Sequence, residues 1–232
     1  MIIGITGGTG CGKTTLLEEL RKLGATILDC DRIYHDLLVR NRKLLTAIET
    51  RFPGTVENGQ LLRKKLGDIV FTDPQALQDL NAITHAAIKA EVIRQLEGTD
   101  FAAIDAVALL ESGLSELCDL TVAVTAPEDL RIARLMSRDG ITREYAQNRI
   151  NAQPREAWFR QNCDYVLEND SDIPSFQSKC LAFFHTSGII NATPPVGEGL
   201  DTSLTPTTIA TLYSREGQDP PLRSQMIGGT PI

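Results

Sequence analysis

The first fifteen residues, MIIGITGGTGCGKTT, constrain this chain more than any other stretch. A short, β-prone apolar run (Ile2, Ile3, Ile5) leads into Gly7-Gly8-Thr9-Gly10-Cys11-Gly12-Lys13-Thr14, which fits G-x-x-x-x-G-K-[ST] at every fixed position. Glycines let the backbone turn sharply and bring successive N–H groups to phosphate oxygens. The pattern predicts that Gly8, Gly10, Cys11, Gly12, Lys13, Thr14 and Thr15 hold a nucleotide's phosphates, with Lys13 as a point charge and the Thr14 hydroxyl on Mg²⁺. Leu16, Leu17, Leu20 and Leu23 follow at helical spacing and Gly24 stops them. A helix N-terminus, with its partial positive charge, therefore faces the same anion site.

Composition narrows the classes. At 232 residues, with 42% hydrophobic and 23% charged residues, the chain has the size and balance of one globular domain with a tail. No apolar run approaches the roughly 20 residues of a membrane span, and no basic region precedes the motif, so neither a membrane anchor nor a signal peptide is expected. Five scattered cysteines without metal-ligand spacing read as reduced thiols in the cytoplasm. A net charge of −7 disfavours nucleic acid as a partner, and the chain is expected to act as a monomer on small molecules.

Beyond the first helix, 25–28 reads as a second strand ending in Asp29-Cys30-Asp31. Pleat alternation would put both carboxylates on one side while the strand persists. Either acid could instead cap the helix that follows, and local sequence leaves capping and catalysis equally open for Asp31. Residues 32–52 suggest one amphipathic helix or a pair, Pro53-Gly54 breaks it, and Asn58-Gly59 marks a turn. A further helix over 61–70 carries Arg63, Lys64 and Lys65, a solvated face or a greeting for an anionic substrate. Asp73 caps a long helix with Pro74 at its first position. His85 lies within it, and a single helical histidine reads by itself as structural.

A third strand over 101–105 closes on Asp105, placed to support Mg²⁺ or its water shell; a fourth spans 120–124 and a fifth 165–167. Arg131, Arg134, Arg138, Arg143 and Arg149, divided by Gly140, look like a lid over about 138–155 that closes on polyphosphate. Past Gly188 the composition changes: 191–232 holds six of the 11 prolines and is expected to be disordered. The organisation is thus a domain over 1–188, with substrate helices at about 31–97, and a tail over 189–232. Strands alternating with helices give an α/β fold, a doubly wound sheet of about five parallel strands with helices on both faces. The chemistry that these parts suit is phosphoryl transfer from ATP to a small molecule, with one carboxylate aligning the acceptor hydroxyl.

The same residues resemble the dephospho-CoA kinase family from Ile3 to about Asn169. The opening Gly4-Ile5-Thr6-Gly7-Gly8 into Gly10-Cys11-Gly12-Lys13-Thr14-Thr15 is similar to G-L-T-G-G-I-G-S-G-K-S-T, and Asp29-Cys30-Asp31 to D-A-D. Leu80 to His85 resembles L-N-x-I-x-H-P, and Asp105 to Glu111 resembles D-x-P-L-L-F-E. Arg134, Arg138, Arg149 and Gln153 match R-x-x-x-R-D-G…R-I-x-x-Q, and Asp164 to Asn169 looks like A-D-x-V-I-x-N. The resemblance implies ATP-dependent phosphorylation of 3′-dephospho-CoA, with Mg²⁺. It implies Asp31 as base for the ribose 3′-hydroxyl, Lys13 and Arg138 in catalysis, and Asn169 near the adenine. Asp29, Asp31, His85, Glu111 and Arg149 would meet the acceptor. Ala86 and Val107 stand where the family has proline, and Cys163 where it has alanine. Another P-loop kinase of nucleosides or small metabolites is the alternative within enzymes. A nucleotide-dependent switch is the alternative outside them, although no guanine-reading N-K-x-D occurs.

Overall fold

The computed structural model describes residues 1–189; the stretch expected to be a disordered tail lies outside the described residues except at its first position. β1 (Ile2–Gly7) runs into the glycine loop and α1 (Lys13–Lys22). β2 (Thr26–Asp29) passes directly into α2 (Cys30–Arg40), which meets α3 (Arg42–Arg51) at Asn41. Asn41 ends one helix and caps the next, its Oδ1 accepting from the Leu44 N–H at 3.0 Å, so the expected helix or pair is a pair. A hairpin of β3 (Val56–Glu57) and β4 (Gln60–Leu61) turns through Asn58-Gly59, both at positive φ (51° and 75°), as a tight two-residue hairpin requires. Strands of two residues carry no readable alternation, which is why the sequence signalled only the turn.

α4 (Arg63–Val70) and α5 (Pro74–Leu96) follow, the latter capped by Asp73 through the Gln75 N–H. Then come β5 (Ala102–Asp105), a 3₁₀ turn (Leu114–Leu117), β6 (Leu120–Thr125), α6 (Glu128–Asp139) and α7 (Arg143–Asn151). The chain goes on through α8 (Glu156–Asn162), which the sequence did not signal, β7 (Tyr165–Glu168) and α9 (Ile173–Thr186).

The main sheet is parallel throughout, in the order β2-β5-β1-β6-β7. One face buries Ile3, Ile5, Ala103, Val122, Val124 and Leu167 against Leu16 and Leu20 of α1 and Phe176, Phe183 and Phe184 of α9. The other buries Leu28, Ala102 and Ile104 under α2 to α5, while Phe159 of α8 covers Ala123 and Val166. Each such Leu, Ile, Val or Phe side chain contributes about 1.5–3 kcal/mol of burial, so strands covered on both faces read as unbroken apolar runs. Ile132, Leu135, Ala146 and Ile150 form a separate cluster between α6 and α7, giving that pair a core of its own. Among the described residues no helix is long and apolar enough to cross a membrane.

Candidate active site

A cleft of about 1070 Å³ opens where the strands end, between the glycine loop, α2, α5 and the α6–α7 pair. This is where open α/β sheets place ligands. Gly8, Gly10, Gly12, Lys13 and Thr14 form its floor. Gly12 takes φ 92°, and a Cβ there would lie 2.2 Å from Asn169 Nδ2, so both conformation and space require glycine. Lys13 Nζ donates to its own loop at Gly7 O, 3.0 Å away.

The loop is braced from behind by side chains distant in sequence. Arg131 Nε donates to Thr9 O (2.9 Å), and Gln153 Oε1 accepts from both Thr9 N (2.8 Å) and Arg131 Nη2 (2.9 Å). Arg134 donates to Gly10 O (3.3 Å), to Asn169 Oδ1 (3.1 Å) and to Ser171 O (3.3 Å), while Asn169 Nδ2 donates to Cys11 O at 2.9 Å. Asn169 is 4% exposed and does not line the cleft; its place is behind the loop. Cys11 likewise points into the core, 2% exposed, and Thr15 lies off the wall.

The acids separate. β2 ends at Asp29, whose carboxylate caps α2 by accepting from Arg32 N at 2.9 Å, so pleat alternation stops before Asp31. Asp31 sits in the first turn of α2 and lines the cleft, whereas Asp29 does not. Asp105 pairs with Asp29 in strand register and lines the cleft too. Burial pushes its carboxyl up to about 6; the Lys13 ammonium opposes this, and Asp29 and Asp31 add to it. Burial also raises the Glu111 carboxyl and lowers the His85 imidazole, and both residues line the cleft.

Among the described residues no cluster of three or more His, Cys, Asp or Glu is arranged to hold a metal. Thr14 and Asp105 nevertheless share the cleft, and Asp105 is crowded by the carboxylates of Asp29 and Asp31. That donor set fits Mg²⁺, which takes one or two protein oxygens and brings phosphate and water as its other ligands.

Of the five expected lid arginines, Arg134, Arg138 and Arg149 reach the wall. Arg138 and Arg149 converge on Asp139, at 2.7 and 3.0 Å from Arg138 and 2.8 Å from Arg149. Both guanidiniums hold the Asp139 carboxyl down at about 2, Arg138 the more strongly. Arg143 pairs instead with Asp129 at 2.6 Å, off the wall. Tyr34, His35 and Asn81 also line the cleft, and sequence reasoning passed over them. Their signal was helical spacing: Tyr34 and His35 lie three and four residues after Asp31, and Asn81 four before His85.

The family model for dephospho-CoA kinase matches residues 1–175. A dephospho-CoA kinase of Carboxydothermus hydrogenoformans is 35% identical over 188 residues, covering 78% of this chain and 91% of that protein. One from Saccharomyces cerevisiae is 32% identical over 185 residues, covering 75% and 77%. Among solved structures, TT1252 from Thermus thermophilus superposes with a TM-score of 0.67 at 31% identity, covering 79% of this chain and 96% of that one. The dephospho-CoA kinase from Campylobacter jejuni gives 0.60 at 25% identity, covering 82% and 98%. With the family model spanning residues 1–175 and a relative 35% identical over most of both chains, the chain belongs to the dephospho-CoA kinase family.

Proposed function

We propose that the family's reaction proceeds in this chain as transfer of the ATP γ-phosphoryl to the ribose 3′-hydroxyl of 3′-dephospho-CoA, giving coenzyme A and ADP, with the cleft residues dividing the work. Asp31 accepts the proton of the 3′-hydroxyl as the new O–P bond forms and the bond from the γ-phosphorus to the bridging oxygen breaks. Lys13 and the loop amides hold the β- and γ-phosphates, and Arg138 and Arg149 spread the charge of the transferring group. Thr14, with Asp105 behind it, would hold Mg²⁺, which would supply neutralisation of the charge on the phosphates. His85 and Glu111 flank the acceptor. Asp29 acts through the α2 cap, setting the helix that carries Asp31, and Asn169 through the loop.

The observation that carries this reading is that Asp31 and Lys13, from different elements, line one cleft. The free thiols of Cys11, Cys30, Cys118 and Cys180 support a cytoplasmic setting. The test is mass spectrometry after incubation with ATP, Mg²⁺ and dephospho-CoA, in which the acceptor gains one phosphoryl group. Turnover of a nucleoside or another alcohol, with none of dephospho-CoA, would overturn it.

A further inference from the structure

The cleft is electrostatically lopsided. Its cationic residues, Lys13, Arg134, Arg138 and Arg149, all belong to the loop and the α6–α7 pair. The opposite wall, built by α2 and α5, presents Asp31, Tyr34, His35, Asn81 and His85, with no Lys or Arg. An acceptor lying there would bring its own anionic group against a wall that already carries a carboxylate, and an unpaired anion in a partly desolvated cleft is costly.

One cation reaches that wall from outside it. Arg63, in the first turn of α4, donates through Nη2 to His35 Nδ1 at 3.0 Å. An arginine can only donate, so Nδ1 is the acceptor and the neutral ring keeps its proton on Nε2. Among the described residues Arg63 takes part in no ion pair, unlike Arg138, Arg143 and Arg149, each held by a carboxylate. Its basic neighbour Lys65 is directed elsewhere, its ammonium beside Gly54. Arg63 is thus an uncompensated guanidinium anchored on a cleft-lining ring.

We propose that the Arg63–His35 pair is an anion subsite at the acceptor end of the cleft, and that it takes the diphosphate joining adenosine to the rest of the acceptor. This rests on the reading of the acceptor as dephospho-CoA. The spacing suits it: Asp31 and His35 are four residues apart on α2, a rise of about 6 Å. That matches the span of a ribose from its 3′-hydroxyl to the first phosphorus on its 5′ side. With the hydroxyl at Asp31, the diphosphate meets the His35 Nε2–H and the N–H groups Arg63 has left over. The pair would then select nucleotide acceptors carrying a 5′ anion.

The test compares Arg63→Ala and Arg63→Lys with wild type in steady state. Arg63→Ala is expected to raise the KM for dephospho-CoA by at least roughly tenfold, the loss that follows one charge-assisted hydrogen bond. The KM for ATP and kcat stay unchanged, and Arg63→Lys, which keeps the charge, recovers part of the loss. An unmoved KM for dephospho-CoA overturns the proposal, as does an equal rise in both KM values or a lysine variant no better than alanine. If wild type phosphorylates no dephospho-CoA, the parent reading fails instead. Equilibrium binding of dephospho-CoA to wild type and Arg63→Ala then decides the subsite, equal affinities overturning it.

Discussion

Arg149 Nη1 meets Asp139 Oδ2 at 2.8 Å, joining α7 to the last residue of α6 across Gly140, which holds φ 65°. Asp139 grips Arg138 through Nε and Nη2 at the same time, so one carboxylate orients two cleft guanidiniums and leaves each with free N–H groups. In the proposed mechanism those free donors act on the transferring phosphoryl. Arg138→Ala is therefore expected to lower kcat by roughly two to three powers of ten, within reach of arginine contributions to phosphoryl transfer, while KM for ATP moves little. Rapid-quench measurement of the chemical step checks this; a loss confined to KM would make Arg138 a binding residue only.

Asp31→Asn keeps shape and removes the proposed base. Turnover should fall by roughly two to four powers of ten, while ATP affinity by calorimetry stays near wild type. Equal loss of ATP binding would reassign Asp31 to metal or structural support.

Asp105 is held ionised at pH 7 against burial and two acidic neighbours. The rise from 3.8 to about 6 corresponds to a penalty on the order of 3 kcal/mol at pH 7. Asp105→Asn is therefore expected to melt at a higher temperature in the absence of Mg²⁺ and nucleotide, yet to need more Mg²⁺ for half-maximal activity. A lower melting temperature would contradict the electrostatic account.

His85 has its imidazole pKa lowered by burial, so the unfolded chain binds the proton more readily than the folded one. Its contribution is complete above the unfolded value near 6.5 and is lost as pH falls through the lowered folded value. Between pH 7.5 and 5.5, denaturant midpoints should drop more steeply for wild type than for His85→Gln. Parallel slopes would show that the ring is solvated in the folded protein.

The alternation of strands and helices was legible because the sheet strands are covered on both faces and most strand–helix junctions carry glycine, proline or a capping acid. Periodicity gave the Asp31 face of α2 only once its start was known, and that start was ambiguous because Asp29 and Asp31 can both cap. The structure resolves it: Asp29 caps and Asp31 faces the cleft. Asn169 and Arg134 could not be placed from sequence, since their contacts join residues 35 apart with each other and more than 120 apart with the loop. α8 escaped because seven residues span only two turns, too few for a periodic signal.

Gly8 occupies a variable position of the loop pattern, and its φ is not in the left-handed region, yet a Cβ added there would come within 2.4 Å of Arg131 Nη2 and 3.0 Å of Gln153 Oε1. The brace thus demands a bare backbone at this point. A methyl group at Gly8 is an injury with a remote cure: Gly8→Ala should lose activity, and pairing it with Arg131→Ala should restore part of what was lost. The smallest residue of the loop and one of the longest side chains of α6 are thus coupled through a single close approach.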